Sequence, residues 1–206
     1  ESFNSFLKVL EEPPAYVHLI LITSQPERLL PTVISRCQKI RFTPIKAELV
    51  QEELVKRLNL EEKKALTYAQ LSDGSLGYAL SLVGGKWDNL RELSLQYLQN
   101  VFSSEIGSAA SIIEDVIKQY SIPERFQLFK FLKAYLRDVA VTKENQDKKS
   151  LFNAESSESI FKLSQRVKNQ KQIDKSINLI EKTKSQFYLN VNPRLALLHL
   201  ALQLRA

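Results

Sequence analysis

Apolar residues recur at three- and four-residue spacing along most of this chain, and that pattern predicts helices almost throughout. Segments 47–58, 88–102 and 108–120 each gather their large apolar residues on one face, as Leu90, Leu93, Tyr97, Leu98 and Val101 do in the second. Asn59 suits a cap, with Glu61 and Glu62 in the first turn of the helix that follows and ends near Asp73 and Gly74. Ser75 then caps a short helix over 76–83, which Gly84 and Gly85 stop. Ser121 and Pro123 open a helix carrying Phe126, Phe129, Leu132, Leu136 and Val139. The polar stretch 145–150 and the serine-rich 153–159 read as loop, and 160–187 as a helical region that no proline breaks. Asn192 and Pro193 start the last helix, which is leucine-rich, and no internal repeat is evident.

The start of the chain departs from this pattern. Residues 17–23 (VHLILIT) are a continuous, β-branched-rich run, too short for an ordinary helix, and they predict a strand buried on both faces, as in the middle of a parallel sheet. Residues 38–42 (QKIRF) predict a second strand, and the separation of the two suits a parallel crossover. Two strands cannot cover their own faces and edges, so the sheet is expected to be incomplete. Phe3, Phe6, Leu7 and Leu10 mark one helical stripe ahead of them, stopped by Pro13 and Pro14. The first 45 residues therefore read as the tail of an α/β domain of nucleotide-binding type. The three helices that follow within about forty residues form a bundle too thin to be very stable without a neighbour.

Composition adds few constraints. With 44% hydrophobic and 25% charged residues, the 206-residue chain is that of an ordinary globular protein, not a collagen-like, disordered or disulfide-rich one. One cysteine, Cys37, permits no internal disulfide and fits a reducing cytosol. No apolar run approaches the roughly 18 residues a bilayer requires, so no membrane partner is expected. A sequence without methionine that opens on Glu1 is expected to start inside a longer one. The net charge of +6 permits nucleic acid as a neighbour without requiring it, and Lys168, Lys171, Lys175, Lys182 and Lys184 predict a basic solvent face on one helix.

Catalytic motifs are missing. There is no glycine-rich phosphate loop ending in Lys-Ser or Lys-Thr, no acidic pair closing an apolar strand to hold magnesium, and no Gly-x-Ser-x-Gly nucleophile. His18 and His199 offer little metal-binding capacity, and His199 reads as a packed or partly exposed helix residue. No metal site is expected. By itself the stretch is not expected to be an enzyme.

The informative stretch is NSFLKVLEEPP (4–14), the apolar run, and SQPERLLPTVISRCQKIRF (24–42). In that order these motifs resemble the end of the AAA+ domain in subunits of DNA polymerase clamp loaders, with Ser35, Arg36 and Cys37 as the family's Ser-Arg-Cys. The resemblance implies a mainly α fold in three parts: residues 1–44, the C-terminal end of an AAA+ α/β domain; 45–85, a small helical lid; and 86–206, an all-helical collar through which subunits assemble. It implies that Arg36 acts in trans, as an arginine finger on a neighbouring subunit's ATP, while Ser35 and Cys37 fix the turn. A guanidinium stays charged and can offset charge on a transferred phosphoryl group. The other reading of Arg36 is a surface arginine paired with a carboxylate, worth under about 1 kcal/mol.

Ser24 falls at the family's first-sensor position near the γ-phosphate, although its short side chain equally suits a turn. Active members carry arginine in Gly-Ser-x-Arg-x-Ala-Leu, whereas this chain has Gly77 within Gly74-Ser75-Leu76-Gly77-Tyr78-Ala79-Leu80. That implies a non-hydrolysing accessory subunit of DNA polymerase III, with no cofactor of its own in this stretch and ATP-Mg at the neighbour's site. Close helix packing is the structural alternative for Gly77. The implied partners are the other loader subunits (gamma/tau and delta), and, through the complex, the sliding clamp and primer-template DNA, in the cytoplasm during DNA replication. Two alternatives stay open: an ATP-hydrolysing motor subunit of the same family, and a helical DNA-binding module that uses the lysines of 168–184.

Overall fold

The computed structural model describes residues 2–14, 16–23, 26–145, 151–189 and 191–205. They are 73% helical without a strand, a mainly α fold as the spacing predicts. The chain divides into two compact units, Glu1–Thr43 and Pro44–Ala206.

In the first unit, α1 (Ser2–Glu11) is followed by a 3-10 turn (Pro26–Arg28) and a single-turn helix, α2 (Pro31–Ile34). The two expected strands are not formed as such. Residues 17–23 and 38–42 pair in no ladder, and Ile20, Ile22, Ile40 and Phe42 are 72–94% exposed. An extended segment becomes a strand only when a neighbour takes up its N–H and C=O groups, and these two segments do not pair with each other.

The second unit opens with α3 (Ala47–Leu58), α4 (Glu62–Leu71) and α5 (Leu76–Val83), packed around Val50, Leu54, Ala65, Ala69 and Ala79. Asn59 does cap, but it closes α3 in the left-handed conformation (φ 50°), and Glu61 is the residue that precedes α4. Ser75 accepts the N–H of Tyr78 at 3.3 Å and starts α5. Just before it, Gly74 sits at φ +76° against the backbone of Ile45, where a Cβ would lie 2.6 Å from the Ile45 carbonyl oxygen, so only glycine fits there. Leu71 and Leu82 leave this small core and join the main one, the neighbour that so thin a bundle needs.

The main core is built by α6 (Asp88–Phe102), α7 (Ile106–Gln119), α8 (Ile122–Asn145), α9 (Ser157–Arg166), α10 (Gln170–Tyr188) and α11 (Pro193–Arg205). The long α8 packs on α6, α9 and α10, while α11 lies against α6, α7 and α10. Leu132, Leu136 and Val139 of α8 are fully buried, each leucine worth about 1.5–3 kcal/mol relative to exposure. Phe129 and Phe187 meet edge to face at 4.9 Å, joining α8 to α10. Tyr97 donates its hydroxyl to the Leu197 carbonyl at 2.9 Å, and burial holds that hydroxyl well above the usual phenol range.

Two sequence expectations are corrected here. The region 160–187 is not one helix: Val167 is buried and extended, and Asn169 accepts the N–H of Gln172 at 3.0 Å to begin α10 anew. The stretch 153–159 is not irregular, since Ala154–Ser156 forms a 3-10 turn that leads into α9. Its anchor is Asp138, fully buried on α8, which accepts the backbone N–H groups of Phe152 and Asn153 at 2.9 Å each and the Asn153 amide at 2.8 Å. Asn153 in turn accepts from Arg91 of α6 at 2.9 Å. Residues 146–150 of the expected loop lie outside the described residues.

Candidate functional site

The Ser-Arg-Cys turn is shaped by its entry. Pro31 stands at the first position of α2, and Leu30 before it is extended, as a residue preceding proline prefers. One turn later the helix is left through Ser35, whose N–H donates to the Pro31 carbonyl at 2.9 Å. The Arg36 and Cys37 N–H groups then reach back three residues, to the carbonyls of Val33 and Ile34, at 3.2 and 3.4 Å. Val33 alone of α2 is buried, and it pins the turn while Arg36 remains on the surface.

Arg36 Nε donates to Glu11 Oε1 at 2.7 Å, and its NH2 group pairs with the same oxygen. NH1 donates to the Thr32 carbonyl at 3.0 Å, with a longer contact to Ser35 Oγ at 3.5 Å. Glu11 is the last residue of α1 and belongs to Leu-Glu-Glu-Pro-Pro, so two motifs that stand 25 residues apart meet at one ion pair. The Arg36 side chain keeps 35% of its exposure. Ser35 Oγ donates to the Thr32 carbonyl at 3.2 Å, and Cys37 is a half-buried free thiol in the same exit turn. Ser24 lies outside the described residues.

Gly77 is on the exposed side of α5, and a Cβ there would meet nothing within 4 Å. Close packing is therefore not why glycine occupies this position. His199 is exposed on α11, between the exposed Leu195 and Leu202. No group of three or more His, Cys, Asp or Glu side chains that could hold a metal occurs among the described residues, nor is any described helix long and apolar enough to cross a membrane.

Sequence reasoning singled out Arg36 but not the carboxylate that holds it. Glu11 is one of two adjacent glutamates, and nothing in their spacing tells which of them faces α2. The Asp138, Asn153 and Arg91 network was missed as well, because an acidic residue within a helix reads as solvated until its burial is known.

A Ser-Arg-Cys turn braced on a Leu-Glu-Glu-Pro-Pro helix, in a chain that continues as a helical module, resembles the replication clamp-loader subunits. Comparison with known proteins agrees. The family described as "DNA polymerase III, delta subunit" matches residues 1–46. The chain is 33% identical over 141 residues to the DNA polymerase III subunit gamma/tau of Mycoplasma genitalium, a match covering 66% of this chain and 21% of that protein. It is 46% identical over 54 residues to subunit delta' of Bacillus subtilis (26% of this chain, 16% of the relative). Against subunit delta' of Escherichia coli it is 38% identical over 95 residues (46% and 28%). The chain is thus similar to DNA polymerase III clamp-loader subunits of the delta' and gamma/tau type, and the matched segments span less than a third of the length of these relatives.

Proposed function

We propose that this chain is part of a delta'-type subunit, which does not hydrolyse ATP itself but supplies Arg36 in trans to the ATP site of an adjacent loader subunit. The observation that carries this reading is the state of Arg36: fixed on a short exit turn, oriented by Glu11, and still 35% exposed. Glu11 and Thr32 engage three of the five N–H donors of the guanidinium and Ser35 Oγ weakly takes a fourth, which leaves at least one donor for a phosphate oxygen. Residues 1–44 would then be the end of the AAA+ domain, 45–85 the lid and 86–206 the collar. The neighbour supplies ATP-Mg, and this chain contributes positive charge to it. Ser35 and Cys37 act by holding the turn.

Support for assembly comes from α11. Leu195 and Leu202 are 62% and 54% exposed on one face, which suits a subunit interface better than open solvent. The gamma and tau subunits, delta, the sliding clamp and primer-template DNA are the partners this role implies.

A motor subunit is the second reading, favoured by the match to gamma/tau over 66% of the chain. Gly77 weighs against it, since a Cβ would meet nothing at this position of α5 and yet the arginine of active members is not there.

The test is Arg36→Ala in the reconstituted complex. Turnover at the adjoining ATPase site is expected to fall by about 10³-fold or more, with folding unchanged. Unchanged turnover would leave Arg36 as a surface ion-pair partner and defeat the proposal. Nucleotide binding and hydrolysis by the isolated full-length subunit would establish the motor reading instead.

A further inference from the structure

Lys168, Lys171 and Lys175 converge on one groove of about 190 Å³, shared with Gln172, Ser176 and Gln203, where α10 begins and α11 ends. All three lysines are exposed, and no carboxylate lines the groove. Four lysines elsewhere in the same unit have carboxylate partners: Lys130 lies 3.5 Å from Asp73, Lys86 lies 3.3 Å from Glu124, and Lys133 and Lys184 share Glu181. These three have no ion-pair partner among the described residues. Like charges one helical turn apart repel, so their arrangement carries a small stability cost that a bound anion would remove.

The positive charge extends beyond the groove. Lys182 is exposed on the same face of α10 as Lys171 and Lys175, and eleven residues of helix separate Lys171 from Lys182 by about 16 Å. This helix carries two carboxylates: Asp174 accepts from the Gln170 amide at 3.0 Å, and Glu181, beside Lys182, is paired with Lys133 and Lys184. A single small anion would occupy only part of such a row, whereas a row of phosphates would occupy all of it.

The lining also restricts the kind of polyanion. Leu204 is the only apolar residue of the groove and is 2% exposed, so an acidic protein segment would find charge but no apolar anchor. No aromatic ring lines the groove, and single-stranded nucleic acid, which is held by base stacking, would lack its platform. Ammonium, amide and hydroxyl groups together are the donors that contact phosphodiester oxygens. We infer that the α10–α11 face, centred on Lys168, Lys171 and Lys175, binds the phosphate backbone of duplex DNA without reading its sequence. This site is separate from the Ser-Arg-Cys turn and does not depend on the role given to Arg36.

Fluorescence anisotropy of a labelled duplex of about 20 base pairs with the 206-residue chain, from about 50 to 200 mM salt, tests the inference. Affinity is expected to fall with salt with a logarithmic slope near −3, about 0.9 per neutralised phosphate. K168Q/K171Q/K175Q should lose at least about tenfold at low salt and most of that slope. K46Q/K63Q/K64Q, which removes the same charge from the exposed lysine just before α3 and two exposed lysines of α4, should bind like the parent. Circular dichroism should show both variants folded. Failure of the parent chain to bind at low salt would overturn the inference. So would equal losses in the two variants, or binding of poly-glutamate at these lysines in preference to duplex.

Discussion

Glu11, the last residue of α1, accepts a 2.7 Å hydrogen bond from Nε of Arg36, and this is the ion pair that orients the arginine of the Ser-Arg-Cys turn. Both side chains are partly exposed, at 48% and 35%, so the pair contributes little to stability, under about 1 kcal/mol. On the role proposed for Arg36, the pair would serve to fix the guanidinium before a neighbour's phosphate arrives. Glu11→Ala should leave the unfolding midpoint nearly unchanged while lowering turnover at the adjoining ATPase site by about 10- to 100-fold. The double variant with Arg36→Ala should be no slower than Arg36→Ala alone, because the carboxylate acts only through the arginine. A further loss in the double variant would show that Glu11 has a separate role.

Asp138 is a structural carboxylate. It is fully buried and accepts three hydrogen bonds from the 152–153 segment, with Arg137 NH1 also donating at 3.0 Å. Asp138→Asn would place an amide donor against backbone donors and should cost about 3 kcal/mol in urea unfolding. Hydrogen exchange should report early opening of 151–156, and an unaltered exchange pattern would contradict this assignment.

Gly77 is a site where stability can be gained. With nothing within 4 Å of the added methyl group, Gly77→Ala should stabilise the chain by about 0.5–1 kcal/mol. Gly74→Ala should do the reverse, because φ +76° and a 2.6 Å approach to the Ile45 carbonyl both oppose a side chain. The two variants differ in position by only three residues, and thermal denaturation should move in opposite directions for them.

Glu181 gives the acid limb of the stability profile a specific component. The hydrogen bond from Lys133 holds its carboxyl below the usual glutamate range, with the charges of Lys133 and Lys184 adding to the effect. A group whose folded-state pKa is lowered contributes stability that is complete above its unfolded value and is lost as pH falls through the folded one. Glu181→Gln should therefore flatten the loss of stability on acidification while lowering stability at neutral pH. A Glu181→Gln profile parallel to the parent at every pH would refute the coupling.

Local signals carried much of the helical architecture. Ser75, Gly84, Gly85, Asn192 and the apolar stripes of α6 and α8 each act within a few residues, so spacing alone revealed those elements. The break at Val167–Asn169 was less legible, since a buried valine and an asparagine cap lack the plain punctuation of proline or glycine. The 17–23 and 38–42 segments show the opposite case. Their composition states a preference for extended backbone, but a strand exists only in its pairing, which is decided between segments.

The same division applies to chemistry. The order of residues by itself determined that Arg36 stands in a Ser-Arg-Cys motif and that Gly77 carries no charge, because those are statements of identity and position. Only the tertiary structure decided that Glu11 and not Glu12 holds Arg36, that Asp138 is buried, and that Lys168, Lys171 and Lys175 face one groove without a counter-ion. Each of these depends on which residues, far apart along the chain, are brought within a few ångströms, and on how much water remains between them. Electrostatic and hydrogen-bond energies depend on that distance and that exposure, so no local pattern can state them in advance.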